Sequence, residues 1–248
     1  MGETVTRQLL IDRVSAALER QPFVHAAWLE GADAAGRADA YSDVDLWADV
    51  DAGFEAQTFA CIRDALLALG RLDVEQSVFH PHPQLEQRFF RAAGTSPFWF
   101  VDVCLQHHGR ETVFLPHDPF RVLFDRSGVV QITSVTDEVF VAEAVRVLGS
   151  SWWRRVLVLK EVRRGRLLEA LGYYHHEVLR PLTQLLRLRY RPAKYDYGLK
   201  HLYADLPREA TAALEDLYAV VTLADLPTAL EQADKLFIET LTAVQHPL

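Results

Sequence analysis

A change of hydrophobic period near residue 136 limits the fold more than any other feature of the chain. Before it, short strand-like runs alternate with helical ones; after it, every apolar run keeps helical spacing. FVHAAWLEG (23–31) and VDLWADV (44–50) read as strands joined through a glycine turn and a polar loop. FEAQTFACIRDALLALG reads as a helix stopping at Gly70, and LDVEQSVFH, QRFFRAA and FWFVDVCLQHHG as further strands. From Thr136 the segments DEVFVAEAVRVL, WWRRVLVLKEVRRGRLLEALGYYHHEVLRPLTQLLRLRY, REATAALEDLYAVV and LPTALEQADKLFIETLTAVQ are helical. Gly149-Ser150-Ser151, the Pro192 region and Pro207 are the expected breaks between them. The spacing predicts an α+β chain: a mixed sheet with flanking helices over 1–135, then an all-α helical bundle over 136–248.

With 248 residues the chain can bury two cores. Its net charge of −8 argues against wholesale binding of nucleic acid or anionic membranes and suits a metal-dependent site or a cationic small molecule. Cys61 and Cys104 each sit in an apolar run, where a thiol acts as a small core hydrophobe, so no disulfide framework is indicated. The first residues form an amphipathic pattern without a signal-peptide core, and no apolar run reaches the length of a membrane span. A cytoplasmic location is the expectation.

The segment GADAAGRADAYSDVDLWADV (31–50) sets five aspartates against one base, Arg37. Asp43 and Asp45, two apart at the start of a strand, point to one face, where like charges are comfortable only around a cation. Magnesium is the natural one. Asp102, flanked by Phe98 to Val101 and by Val103 to Leu105, reads as a carboxylate on a buried central strand that something must compensate. If that strand lies beside the one bearing Asp43 and Asp45, three carboxylates converge and can hold one or two Mg²⁺ ions. Taken singly, Asp43 could belong to a Ser42-Asp43 turn and Asp102 could meet a core arginine.

These residues resemble the nucleotidyltransferase signature of the DNA polymerase beta superfamily, with Gly31, Ala34, Gly36, Ser42, Asp43, Asp45 and Leu46 on its fixed positions. The resemblance implies a catalytic nucleotidyltransferase domain over 1–135 in which Asp43, Asp45 and Asp102 are the catalytic and Mg²⁺-binding residues, with Asp102 either ligating a second ion or taking the acceptor's proton. It also implies that Gly31, Ala32, Gly36, Arg37 and Ser42 line the nucleotide, whose phosphates the glycine turn and a helix N-terminus grip. Ala32 stands where the family has serine, so backbone N–H groups would carry the phosphate there, next to the negative Asp33. The later segments KEVRRGRLLEAL, HEVLRPL and PAKYDYGLKHLYADLP are similar to the helical domain of streptomycin-type aminoglycoside adenylyltransferases. By that likeness residues 136–248 bind substrate and nucleotide, with Lys200 and Lys194, and also Lys160 and Arg164, reaching the triphosphate.

The activity implied is Mg²⁺-dependent transfer of a nucleoside monophosphate from a nucleoside triphosphate, ATP first, to a hydroxyl of a small cationic acceptor such as an aminoglycoside. The alternatives are transfer to tRNA or a protein, and a degenerate nucleotide binder. His80, His82, His107 and His108 lack zinc-spaced partners. Trp152-Trp153 and Tyr173-Tyr174 read as helix-packing aromatics, and the basic run Arg154 to Arg166 as a solvated face or one turned to phosphate.

Overall fold

The computed structural model describes residues 5–110, 113–114, 119–132 and 138–246. They belong to two compact units, Met1–Val135 and Thr136–Leu248, the first mixed α and β and the second helical, so the class is α+β. The junction expected at 135/136 lies outside the described residues.

In chain order the first unit contains α1 (Arg7–Glu19), β1 (Val24–Leu29), the single-turn α2 (Gly31–Ala34), β2 (Val44–Val50), α3 (Glu55–Leu67), β3 (Leu72–Val78), β4 (Leu85–Ala92) and β5 (Val101–His107). Then come β6 (Val113–Phe114), β7 (Arg121–Asp125) and β8 (Gln131–Ile132). Six strands form one sheet in the order β3-β4-β5-β2-β1-β7, while β6 and β8 pair separately. Only β2 and β5 run parallel within the large sheet.

Alternation in β2 sorts its side chains by face. Val44, Leu46, Ala48 and Val50 join Val101, Val103 and Leu105 of β5 in a core covered by Leu10, Val14 and Leu18 of α1 and by Phe59, Ile62 and Leu66 of α3. Each buried Leu or Phe there contributes about 2 kcal/mol. The intervening residues Asp45, Trp47 and Asp49 occupy the opposite face, where Trp47 stacks on Trp28 at 6.0 Å. Thr6 starts α1 by accepting a hydrogen bond from the Leu9 N–H at 3.2 Å.

In the first unit two local expectations differ, and one strand was not foreseen. The helix ending at Gly70 stops at Leu67, and Gly70 instead closes the following turn onto the Leu67 carbonyl. The strand bearing Asp102 begins at Val101; Phe98, three residues before it, is 48% exposed because Pro97 and the Ser96 turn hold the chain out of the ladder. The edge strand β7 had no clear signal, since its five residues are exposed or half-buried and lack a clean alternation.

The second unit contains α4 (Glu138–Ser151), α5 (Val156–Arg163), α6 (Leu167–Tyr173), α7 (Arg180–Tyr190), α8 (Leu202–Asp205), α9 (Arg208–Tyr218) and α10 (Leu226–Gln245). A 3-10 turn (Trp152–Arg155) leads into α5, a π segment (Tyr174–Leu179) joins α6 to α7, and a second 3-10 turn (Pro192–Lys194) follows α7. Gly149-Ser150-Ser151 forms the last turn of α4, which gives way to the 3-10 turn directly after it, and both serine hydroxyls donate to carbonyls three residues back, Val147 and Leu148. Trp152 stacks on Phe237 at 3.7 Å, and the buried Tyr174 hydroxyl donates to the Leu217 carbonyl at 3.0 Å. No helix among the described residues is long and apolar enough to cross a membrane.

Candidate active site

The parallel pairing of β5 with β2 puts Asp102 directly opposite Asp45, on the sheet face away from α1 and α3. Such neighbours stand about 4.8 Å apart along the hydrogen-bonding direction. On the other side of β2, Leu29 pairs with Leu46, and the Glu30 N–H donates to the Asp45 carbonyl at 3.0 Å. Glu30 therefore extends the same register row, and its Oε1 accepts from the Trp28 indole at 3.0 Å. Across three adjacent strands the row reads Asp102, Asp45, Glu30.

Sequence reasoning missed Glu30. The available signal was its place one residue ahead of the glycine turn and two after Trp28, on the same face of an alternating strand. Cys104, opposite Trp47, lies on that face too. Burial first, and then the charges of Asp102 and Glu30, push its thiol up to about 12.

Local anchors fix these groups. The Gln87 amide donates to both oxygens of Asp102, at 2.8 and 2.9 Å, and so fixes the carboxylate from β4. Gly31 adopts φ +61°, and a Cβ there would overlap Asp45 Oδ2; glycine at this position lets backbone and carboxylate meet. Asp43 sits just ahead of β2, half-buried, and its carbonyl accepts from Arg7 at 2.6 Å. Arg7 also binds the Ser42 carbonyl and the Asp33 carboxylate. The negative charge of Asp33 is thus met by an ion pair that ties α1 to the loop preceding β2.

The remaining expected residues of this unit are more dispersed. Ala32 lies within α2, which at four residues has too few aligned peptides for a substantial macrodipole. Gly36 (φ +65°) and the exposed Arg37 continue the loop, with the Arg37 N–H closing onto the Ala32 carbonyl at 3.0 Å. The Ser42 hydroxyl is taken by Asp39 at 2.9 Å. Among the described residues, no three His, Cys, Asp or Glu side chains are grouped, as they stand, to hold a metal ion. The donor chemistry of the row, hard carboxylate oxygens on rigid strands, suits Mg²⁺ all the same.

In the helical unit, Lys200 is exposed. Lys194 reaches Asp205 at 3.3 Å beside the fully buried Arg187, which binds the same carboxylate at 3.0 Å. Burial opposes the Asp205 charge, yet Arg187 and Lys194 outweigh it and hold the carboxyl below its ordinary value. In the basic run Lys160, Arg164 and Arg166 are half-exposed, as a solvated face requires, and also gather around the buried Glu161, at 3.6, 2.9 and 3.6 Å. His107 meets Glu55 and His108 meets Asp49, which accounts for that histidine pair without metal.

No family model matches the chain, and no curated protein matches it. Among solved structures, it is similar to an aminoglycoside 6-adenyltransferase from Bacillus subtilis, at 15% identity and TM-score 0.42 over 97% of this chain and 90% of that one. It is also similar to a spectinomycin adenyltransferase from Enterococcus faecialis solved with ATP and spectinomycin, at 8% identity and TM-score 0.34, over 97% and 100%. Likenesses this distant leave the chemistry to be argued from the chain's own residues.

Proposed function

We propose that the chain is a Mg²⁺-dependent nucleotidyltransferase that moves a nucleoside monophosphate, from ATP in the first instance, to a hydroxyl of a small cationic acceptor of aminoglycoside type. The observation that carries this reading is the register match of Asp45 with Asp102 on adjacent parallel strands, beside a glycine turn packed against the Asp45 carboxylate. Asp43, Asp45 and Asp102 would hold the ion, and side-chain rotation rather than backbone movement would close the set around it. Bound there, Mg²⁺ supplies charge neutralisation for the phosphates and in-line orientation of the α-phosphorus.

The acceptor oxygen attacks the α-phosphorus and forms the new P–O bond. The bond from that phosphorus to the bridging oxygen breaks, and pyrophosphate leaves with the electron pair. The hydroxyl proton passes to Asp102, whose orientation Gln87 fixes. Backbone N–H groups at the start of α2, from Gly31 to Asp33, would meet the phosphates in place of the missing serine hydroxyl at Ala32.

The test is pyrophosphate release with ATP, GTP, CTP or UTP and a panel of aminoglycosides, tRNA and cell lysate. Release that needs both Mg²⁺ and an aminoglycoside is expected. Transfer to tRNA or protein alone overturns the acceptor assignment, and release by Asp45→Asn at the wild-type rate overturns the site.

A further inference from the structure

Two large aromatic side chains stand exposed beside the acid row, although nothing in the packing of the first unit calls for them. Tyr41 is 71% exposed and Phe98 48%, and their rings meet edge to face at 5.2 Å. They belong to the segments that lead into β2 and β5, two residues before Asp43 and four before Asp102. In a parallel pair both leads arrive at the same end of the sheet, and the Val44 N–H donates to the Phe100 carbonyl at 2.8 Å just above the first register pair. Tyr41 is thus about 7 Å of extended chain from Asp43.

The pair is exposed but fixed. The Trp99 indole donates to the Ala40 carbonyl at 3.3 Å, joining the two leads behind the rings. The Tyr41 N–H donates to Asp39 at 2.9 Å, and Arg7 holds the Ser42 and Asp43 carbonyls. Surface aromatics held this way lose little freedom when they meet a ligand. Aromatic faces are electron-rich and attract cations, most strongly where carboxylates stand nearby. Asp39, which accepts from the Tyr41 N–H and is not among the residues assigned to Mg²⁺, supplies such a carboxylate beside the pair. Hydrogen bonds from the Tyr41 N–H and the Ser42 hydroxyl hold the Asp39 carboxyl below its ordinary value, so it is ionised at neutral pH. Asp33 is neutralised by Arg7, which leaves Arg37 as the base of the loop.

We propose that Tyr41 and Phe98, with Asp39, form the subsite that seats an ammonium or guanidinium group of the acceptor, and so help to set acceptor specificity. This rests on the nucleotidyltransferase reading above. The charge around the pair favours a cation over the base of an anionic nucleotide, and the position places a bound cation beside the carboxylates without occupying them.

Calorimetry on the full chain separates the two substrates, with streptomycin and spectinomycin as cationic probes and ATP with Mg²⁺ as the nucleotide. Tyr41→Ala and Phe98→Ala are each expected to weaken binding of the cationic probe about tenfold. Tyr41→Phe is expected to stay within about twofold of wild type, and ATP affinity to stay within about twofold in all three. Loss of ATP affinity with probe binding intact makes the pair a base platform and overturns the proposal; unchanged affinity for both makes it a surface patch and overturns it equally. A wild-type chain that binds ATP with Mg²⁺ but neither probe refutes the subsite while the nucleotide chemistry stands. Failure to bind ATP at all removes the underlying reading instead.

Discussion

The two ends of β2 carry aspartates on one face, and the strand treats them in opposite ways. Asp49, at the far end, is fully buried; one oxygen accepts from Gln106 Nε2 at 2.7 Å and the other lies 2.6 Å from His108 Nδ1. His108 in turn stacks on His25 at 3.7 Å. Asp45, four residues earlier, is half-buried in a row with Asp102 and Glu30, and its carboxylate lies against Gly31. A carboxylate enclosed by donors stabilises the unit, whereas carboxylates lined up with one another raise its energy until a cation arrives. Burial alone does not tell these roles apart; the neighbours in the register do.

The widest separation between the two ends should come from neutralising each in turn. Asp45→Asn is expected to lower turnover by at least about a thousandfold, or about 4 kcal/mol, while leaving the melting temperature unchanged or higher, because one like charge leaves the row. Asp49→Ala should do the reverse. It removes the acceptor of the buried Gln106 amide and the partner of the exposed His108, and costs about 3 kcal/mol of stability, with turnover per folded molecule within about twofold of wild type. Denaturant midpoints and initial rates measured side by side decide the matter. Equal destabilisation by both variants would mean that the strand has one kind of aspartate rather than two.

Much of this contrast was legible in the chain. Strand periodicity placed Asp45 opposite the core face of β2, and the apolar run around Asp102 marked β5 as a central strand. Pairing of these two strands cannot be read from either one, because register is fixed by long-range contacts. That is why Glu30 escaped notice: its importance lies in being the third member of a cross-strand row. Arg7 escaped for the same reason, since its partners Asp33, Ser42 and Asp43 are 26 to 36 residues away. The helical unit was legible in its spacing but not in all of its joints. Gly149 and two serines mark the end of α4, whose last turn they form before the 3-10 turn, whereas the conversion to a π segment at Tyr174 has no local marker.

A smaller effect tests the contact that sets Asp45 in place. Gly31→Ala puts a methyl group where Asp45 Oδ2 lies, on a backbone at φ +61° that alanine adopts with strain. Displacing the carboxylate should lower turnover by about ten- to a hundredfold and stability by about 1 to 2 kcal/mol. Gly36→Ala shares the positive φ but meets nothing within 4 Å, so it carries the backbone strain without the displacement. If the two variants lose the same activity, strain in the loop, not the position of Asp45, explains the loss.

The finest probe is the thiol of Cys104, two residues along β5 from Asp102 on the same face. Cys104 is held neutral by burial and then by Asp102 and Glu30, with its value raised from 9.0 to about 12. As pH rises past the ordinary thiol value the unfolded chain ionises first, so stability that is complete below about 9 declines between there and about 12. Removing a negative neighbour lowers the thiol's value and exposes more thiolate to a reagent. In a Cys61→Ala background, Glu30→Gln or Asp102→Asn should therefore speed the reaction of Cys104 with a small alkylating agent by about threefold. Addition of Mg²⁺ to the unaltered row should act in the same direction, because a cation offsets the same charges. A rate unmoved by either substitution would detach Glu30 and Asp102 from Cys104. The row would then break into separate carboxylates, and Asp45 would be no different in kind from Asp49.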